Sequence, residues 1–106
     1  MSTPRNPLVS EYANDPDMVE LVELFISEIP DRVELLRTCW NDRDIERLTR
    51  LAHQLKGASA GYGFAPIGLA AGDLEEALRS DIDKDIQEVT KRLDELVELC
   101  NRAAQC

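Results

Sequence analysis

The last quarter of the chain carries apolar residues at alternating intervals of four and three positions. In an α-helix this spacing places the side chains along one seam, which is typical of a helix packed inside a bundle. A half-buried β-strand would instead alternate with a period of two, and no segment of the sequence does so over the length of a strand. The repeat therefore predicts an all-α fold. Its members are Ile82, Ile86, Val89, Leu93, Leu96, Cys100 and Ala103.

Four further helices are predicted upstream of this one, which we call helix E. Helix A begins at an Asp15 cap and ends at Pro30, because a proline inside a helix removes a backbone hydrogen bond and kinks or breaks the helix. The predicted architecture is an antiparallel four-helix bundle of helices B–E, with the short helix A covering one end. The remaining bounds are about 31–40 for helix B, 42–60 for helix C and 64–79 for helix D.

The composition restricts the class of protein. A chain of 106 residues with 43% hydrophobic and 31% charged residues fits one globular domain. We divide it into an extended N-terminal segment, residues 1–14, and a bundle domain, residues 15–106. No apolar run approaches the ~18 residues of a membrane span, and the start of the chain lacks the apolar core of a secretory signal. We therefore expect a cytoplasmic protein that does not enter a membrane.

The net charge and the cysteines argue against several other classes of protein. The net charge of −9 disfavours a nucleic acid as partner. Cys39, Cys100 and Cys106 are far apart in the sequence, and an odd number without a CxxC spacing argues against a disulfide framework and against a zinc site. We expect Cys39 and Cys100 to be reduced residues of the core.

His53 is the only histidine of the chain, and it lies within predicted helix C. At about 100° per residue, the apolar row of this helix falls within roughly 80°, and His53 lies about 140° from the centre of that row. The ring is therefore expected on the exposed side. Its neighbours there are mostly small, although glycine inside a helix costs about 1 kcal/mol relative to alanine. This pattern indicates a surface cleared for a partner, made up of Thr49, Lys56, Gly57 and Ala60.

An exposed imidazole in such surroundings suits a carrier of phosphoryl groups. A neutral imidazole nitrogen is a good nucleophile, and histidine titrates near pH 6.5. Lys56 would offset the charge of the phosphoryl group. The sequence has no P-loop, no GxGxxG motif and no obvious magnesium cluster, so the partner must supply the metal and most of the catalysis. We expect the chain to be a carrier and not an enzyme, with no metal or cofactor of its own and Mg²⁺ on its partner.

The run HQLKG at positions 53–57, followed by Gly63 ten residues after the histidine, resembles the motif of histidine-containing phosphotransfer (Hpt) domains. The resemblance extends over about residues 17–99. It implies a phosphorelay intermediate of two-component signal transduction that is phosphorylated on His53, with Nε2 as the acceptor atom. It also implies that Gly57 admits the partner and that Gly63 allows close packing at the turn into helix D. Glu75 occupies about the position from which a polar side chain can bond the other imidazole nitrogen.

The same resemblance implies the partners, which are the receiver domain of a response regulator and a hybrid sensor histidine kinase. We expect a monomer that binds the receiver through the face around His53, where residues 31–56 carry six bases against five acids. A small apolar patch from helices A, B and D should lie beside the histidine, with Arg47, Arg50 and Lys56 around it. The predicted partner-binding residues are Thr49, Arg50, Gln54, Gly57 and Ala60.

Two other classes of protein are alternatives to an Hpt domain, and they differ from it in sequence pattern or in activity. The dimerisation domain of sensor kinases also carries a phosphorylated histidine on a bundle helix, but it usually has an acidic residue directly after the histidine and a proline about five positions on. Those positions are Gln54 and Ala58 here. The second alternative is a helical adaptor that binds a receiver or a kinase without phosphotransfer. Incubation with a phosphorylated receiver domain separates the carrier from the adaptor.

Overall fold

The computed structural model describes residues 7–80 and 86–104. Within these ranges it contains four α-helices and no β-strand, which confirms the all-α prediction for the described residues. Ile82 of the predicted seam and the terminal Cys106 lie outside them. The helices are α1 Val19–Asn41, α2 Ile45–Gly61, α3 Ala65–Arg79 and α4 Ile86–Ala104.

The helices form an antiparallel bundle in which each helix packs against its two neighbours in a ring. Connections of three residues join α1 to α2 and α2 to α3, and such short connections reverse the direction of the chain. The direction of α4 follows from its contacts with α1. The indole N–H of Trp40 donates to Thr90 Oγ1 at 3.2 Å, and Arg37 pairs with Asp94 at 3.4 Å, so the two helices run in opposite directions.

The predicted seam of helix E forms one wall of the core. Its members from Val89 to Ala103 are each at most 1% exposed, whereas Ile86 at the first position of α4 is 43% exposed. Cys39 and Cys100 are buried free thiols, as predicted. Burial raises the pKa of Cys100 to about 12, so this thiol stays protonated and unreactive at neutral pH.

The predicted break between helices A and B at Pro30 is wrong. A single helix, α1, runs through Pro30, and no separate covering helix is present among the described residues. Proline removes one hydrogen bond of the helical backbone, here the bond to the carbonyl of Ile26. Pro30 itself is exposed, while Ile29 and Leu36 on either side are each only 1% exposed. Burial of the same apolar face before and after the proline outweighs the missing bond.

The residues before α1 lie across one end of the bundle. The backbone N–H of Leu8 donates to the carbonyl of Arg102 at 3.1 Å, and the N–H of Glu11 donates to the carbonyl of Gly63 at 3.0 Å. The hydroxyl of Ser10, a buried residue, donates to the carbonyl of Tyr62 at 2.6 Å. These bonds tie the turn between α2 and α3 to the segment before α1. The boundary predicted at residue 14 stays a prediction.

Gly63 is the residue on which this arrangement depends. Its φ of +83° lies in the region that side chains rarely adopt. A Cβ at this position would lie 2.6 Å from Ser10 Oγ and 2.9 Å from the backbone nitrogen of Glu11. The sequence pattern assigned Gly63 to packing at the turn into α3, whereas its nearest neighbours belong to the N-terminal segment.

Replacing Gly63 with alanine is expected to lower the free energy of unfolding by roughly 2–4 kcal/mol, because positive φ and steric overlap both disfavour the methyl group. Gly61→Ala is the matched control, since that glycine ends α2 and a methyl group added to it would meet nothing within 4 Å. The control should gain up to about 1 kcal/mol. Urea denaturation followed by circular dichroism measures both, and an equal change in the two variants would contradict this role of Gly63.

Candidate functional site

His53 lies on the exposed side of α2. The helix begins after Asp44, whose side chain accepts the backbone N–H of Arg47 at 3.2 Å and so caps the first turn. Three members of the apolar row predicted for helix C are buried and Ser59 continues the row, whereas Ile45, its first member, is half-buried. The His53 side chain is 67% exposed, in agreement with its helical phase. The buried residues of α2 are Leu48, Ala52, Leu55 and Ser59.

A carboxylate of α3 contacts the inner nitrogen of this ring. Nδ1 of His53 lies 2.9 Å from Oε2 of Glu75, which is buried with 7% exposure. An ionised carboxylate only accepts hydrogen bonds, so Nδ1 carries the proton and donates it to Glu75. In the neutral ring the lone pair is then on Nε2. The structure thus supplies the contact that the sequence pattern left open.

Glu75 has two cationic neighbours besides the imidazole. Arg79, one turn later on α3, donates from Nη2 to the same Oε2 at 2.9 Å. The ammonium of Lys56 lies 4.0 Å from the other oxygen, Oε1. The hydrogen bond from Arg79 lowers the pKa of Glu75 most strongly, burial opposes it, and the hydrogen bond from His53 lowers this pKa further. The net shift is downward, so Glu75 is an ionised acceptor at neutral pH.

Two glycines bring α3 close enough for this contact. A Cβ on Gly68 would lie 3.3 Å from the carbonyl of Lys56, closer than an ordinary van der Waals contact. A Cβ on Gly72 would lie 3.5 Å from Cδ of Lys56, so the aliphatic part of that side chain crosses α3 at this glycine. The result is a shallow cavity of about 300 Å³ beside the imidazole. Its lining residues are His53, Lys56, Gly72, Glu75, Glu76 and Arg79.

Three of the predicted partner-binding residues share the side of α2 that carries His53. Gly57 is exposed, and a Cβ there would meet nothing within 4 Å. Ala60 is also exposed. Thr49 is half-buried, and its hydroxyl donates to the carbonyl of Ile45 at 2.7 Å, so that hydroxyl is already bonded within the helix. The surface beside the ring is therefore low and largely apolar.

The two other predicted partner-binding residues lie further around α2. Arg50 is 62% exposed and pairs with Glu46 of the same helix at 3.4 Å. Gln54 is exposed and is rotated by about 100° from His53, towards the side of α2 that faces α1. These two side chains therefore lie at the edge of the surface around His53 and not directly beside the ring.

Three exposed leucines form a strip along α1, which we call the α1 leucine strip. Leu21, Leu24 and Leu35 are 45%, 57% and 39% exposed. Around the helix these residues lie opposite Arg37 and Trp40, which face α4, so the strip lies on the side of α1 towards α2. The exposed face of α2 thus lies between the α1 leucine strip on one side and His53 on the other.

A comparison of the sequence with models of known protein families identifies the family of this chain. A family model described as the Hpt domain matches residues 20–105, which is most of the sequence. The chain belongs to the Hpt domain family. Domains of this family are phosphotransfer intermediates of phosphorelays, which carry a phosphoryl group and interact with receiver domains and kinases. Comparisons with curated proteins and with solved structures found no match.

Several features of this Hpt domain were not predicted from its sequence. Arg79 follows Glu75 by four residues, which is the spacing of ion pairs on a helix, and that signal could have found it. Gly68 and Gly72 are also four residues apart, a spacing that places both on one side of α3.

Within residues 7–80 and 86–104 no cluster of three or more metal-ligating side chains occurs. None of the helices in these ranges is long and apolar enough to cross a membrane.

Proposed function

We propose that this Hpt domain accepts a phosphoryl group on Nε2 of His53 and passes it between the aspartates of receiver domains in a two-component phosphorelay. The observation that carries the proposal is the 2.9 Å contact between His53 Nδ1 and the buried carboxylate of Glu75. This contact assigns the proton to Nδ1 and leaves the lone pair on Nε2 of a ring that is two-thirds exposed. An exposed, oriented nucleophile without catalytic machinery of its own is what a carrier requires.

The transfer step can be written with these groups. The lone pair of Nε2 attacks the phosphorus of an aspartyl phosphate on the receiver, the N–P bond forms, and the bond from phosphorus to the aspartate oxygen breaks. The aspartate leaves as a carboxylate, and the imidazole ring gains positive charge while Nδ1 keeps its proton. Glu75 accepts that proton in a hydrogen bond and therefore stabilises the charge that develops on the ring. The reverse transfer uses the same contacts.

Lys56 is proposed to act on the phosphoryl group itself. Its side chain is 54% exposed, and its ammonium lies 4.0 Å from Glu75 Oε1, beside the cavity next to the ring. A cation in this position attracts the phosphoryl oxygens through space and offsets their charge. The remaining catalysis, including Mg²⁺ bound by the receiver, is assigned to the partner. The chain itself is proposed to hold no cofactor and to act as a monomer in the cytoplasm.

The receiver is proposed to dock across the exposed face of α2, from the α1 leucine strip to His53. Exposed apolar side chains on one side and small residues on the other make this face suited to short-range contact. The overall charge of −9 makes long-range attraction to an acidic partner poor. Arg50 and Gln54 lie within this face and are proposed to contact the rim of the receiver. The hybrid kinase is proposed as the second partner.

His53→Gln tests the proposed function. The wild-type domain should take up radiolabel from a phosphorylated receiver domain, and the variant should take up none because it lacks the nucleophile. The side chain is largely exposed, so the bundle should stay folded, and loss of the hydrogen bond to the buried Glu75 should lower the free energy of unfolding by about 1–3 kcal/mol. Label on the variant would contradict the assignment of His53. A wild-type domain that binds the receiver but takes up no label would favour the adaptor.

Gly57→Gln tests the docking face. The longer side chain would stand in the open space beside His53, so transfer should slow by about tenfold, equal to about 1.4 kcal/mol, while the helix remains intact. Gly61→Gln is the matched control, because that glycine is equally open. It lies about two helical turns beyond His53, or about 12 Å along the axis of α2. Transfer rates measured by rapid quench should differ between the variants. Equal rates would refute the clearance at Gly57.

A further inference from the structure

Arg79 and His53 bind the same atom. Both place a nitrogen 2.9 Å from Oε2 of Glu75, so Nη2 of Arg79 and Nδ1 of His53 lie within about 6 Å of each other. The terminal torsion of a glutamate is soft, and one hydrogen bond leaves the carboxylate free to turn. A second donor on the same oxygen restricts that rotation. Arg79 therefore helps to determine where Oε2 stands relative to the imidazole.

The arginine also changes the electrostatic effect of Glu75 on the ring. A carboxylate beside an imidazole favours the protonated imidazolium, which has no lone pair on either nitrogen. On its own, Glu75 would orient His53 and at the same time favour the protonated ring, which cannot attack phosphorus. The guanidinium of Arg79 is always charged and offsets the carboxylate. It is also the group that most strongly lowers the pKa of Glu75.

The other charged groups near Glu75 are placed differently. Lys56 on α2 faces Oε1 at 4.0 Å, and Glu76 on α3 lines the same cavity. From α4, which packs against the other side of α3, Glu88 and Arg92 line a separate cavity that excludes Glu75. Arg92 binds Glu88 one turn earlier at 2.8 Å, the same spacing as the Arg79–Glu75 pair.

We infer that Arg79 is a positioning residue that acts on His53 through Glu75. It holds Oε2 against Nδ1 and offsets the carboxylate charge, so that Glu75 orients the ring while favouring the imidazolium less. The inference rests on the proposed function for its purpose, because a phosphoryl acceptor needs both properties at once. The contact and its effect on the ring, however, are properties of the unphosphorylated domain.

The pH titration of the His53 ring protons tests this inference by NMR. The chain has one histidine, so the resonances are unambiguous. In Arg79→Gln the midpoint of the titration should move upward by about half a pH unit, because a nearby positive charge is removed. Arg79→Lys keeps the charge and should stay near the wild type. Arg92→Gln, which removes an arginine that pairs with a glutamate at the same helical spacing, should leave the midpoint unchanged.

The same substitution in a Glu75→Gln background shows whether Arg79 acts through Glu75. Without the carboxylate, the exposed guanidinium is no longer held near the ring, so the shift caused by Arg79→Gln should fall to less than half, which is the signature of coupling between the two residues. Equal shifts in both backgrounds would overturn the inference, as would equal shifts in Arg79→Gln and Arg92→Gln. Thermal unfolding followed by circular dichroism identifies any variant that fails to fold. The Arg79→Lys comparison stands even if the glutamine variant is lost.

The effect of Arg79→Gln on the rate of phosphoryl uptake should depend on pH, because protonation of the His53 ring removes the attacking lone pair. Arg79→Gln should take up label more slowly at every pH, because Oε2 is no longer held against Nδ1, and the loss should be about twofold larger at pH 6.5 than above pH 8, where imidazole groups are mostly neutral. A uniform loss at every pH would indicate a merely structural role and would overturn the inference. Failure of the proposed function looks different. The wild-type domain would then take up no label, while the titration shifts would still be observed.

Discussion

The carboxylate of Glu75, buried between α2 and α3, is the group on which the site depends. A buried charge is tolerated only when it is paired and hydrogen-bonded. Glu75 meets that requirement with His53 on one side and Arg79 on the other. The imidazole is therefore part of what makes the buried carboxylate tolerable, and the carboxylate in turn fixes the proton on the ring. Structural and functional requirements are met by the same pair of hydrogen bonds.

The rest of the bundle supports the close approach of α2 and α3. Gly68 removes a side chain where α3 meets the backbone of α2, which brings Glu75 within reach of the imidazole. The turn between the two helices is bonded to the segment before α1 through Gly63, so their relative position is fixed at that end. The exposed face of α2 lies outside this packed interface, and its small residues leave the ring open to a partner.

Much of this arrangement follows from the period of the α-helix. The exposure of His53 and the burial of Leu48 both follow from one rotation per 3.6 residues, which the sequence displays directly. Pro30 misled the prediction, because the local effect of proline was outweighed by burial on both sides of it. The contact between His53 and Glu75 depends on the register of α2 against α3, which periodicity within one helix does not contain.

The most direct test is to identify the atom that carries the phosphoryl group. The domain, labelled with ¹⁵N in its single histidine, would be phosphorylated by a receiver domain and examined by ¹⁵N and ³¹P NMR under native conditions. The account predicts phosphorus bonded to Nε2 and a proton retained on Nδ1, where Glu75 accepts it. Phosphorus on Nδ1, or on a residue other than His53, would contradict it.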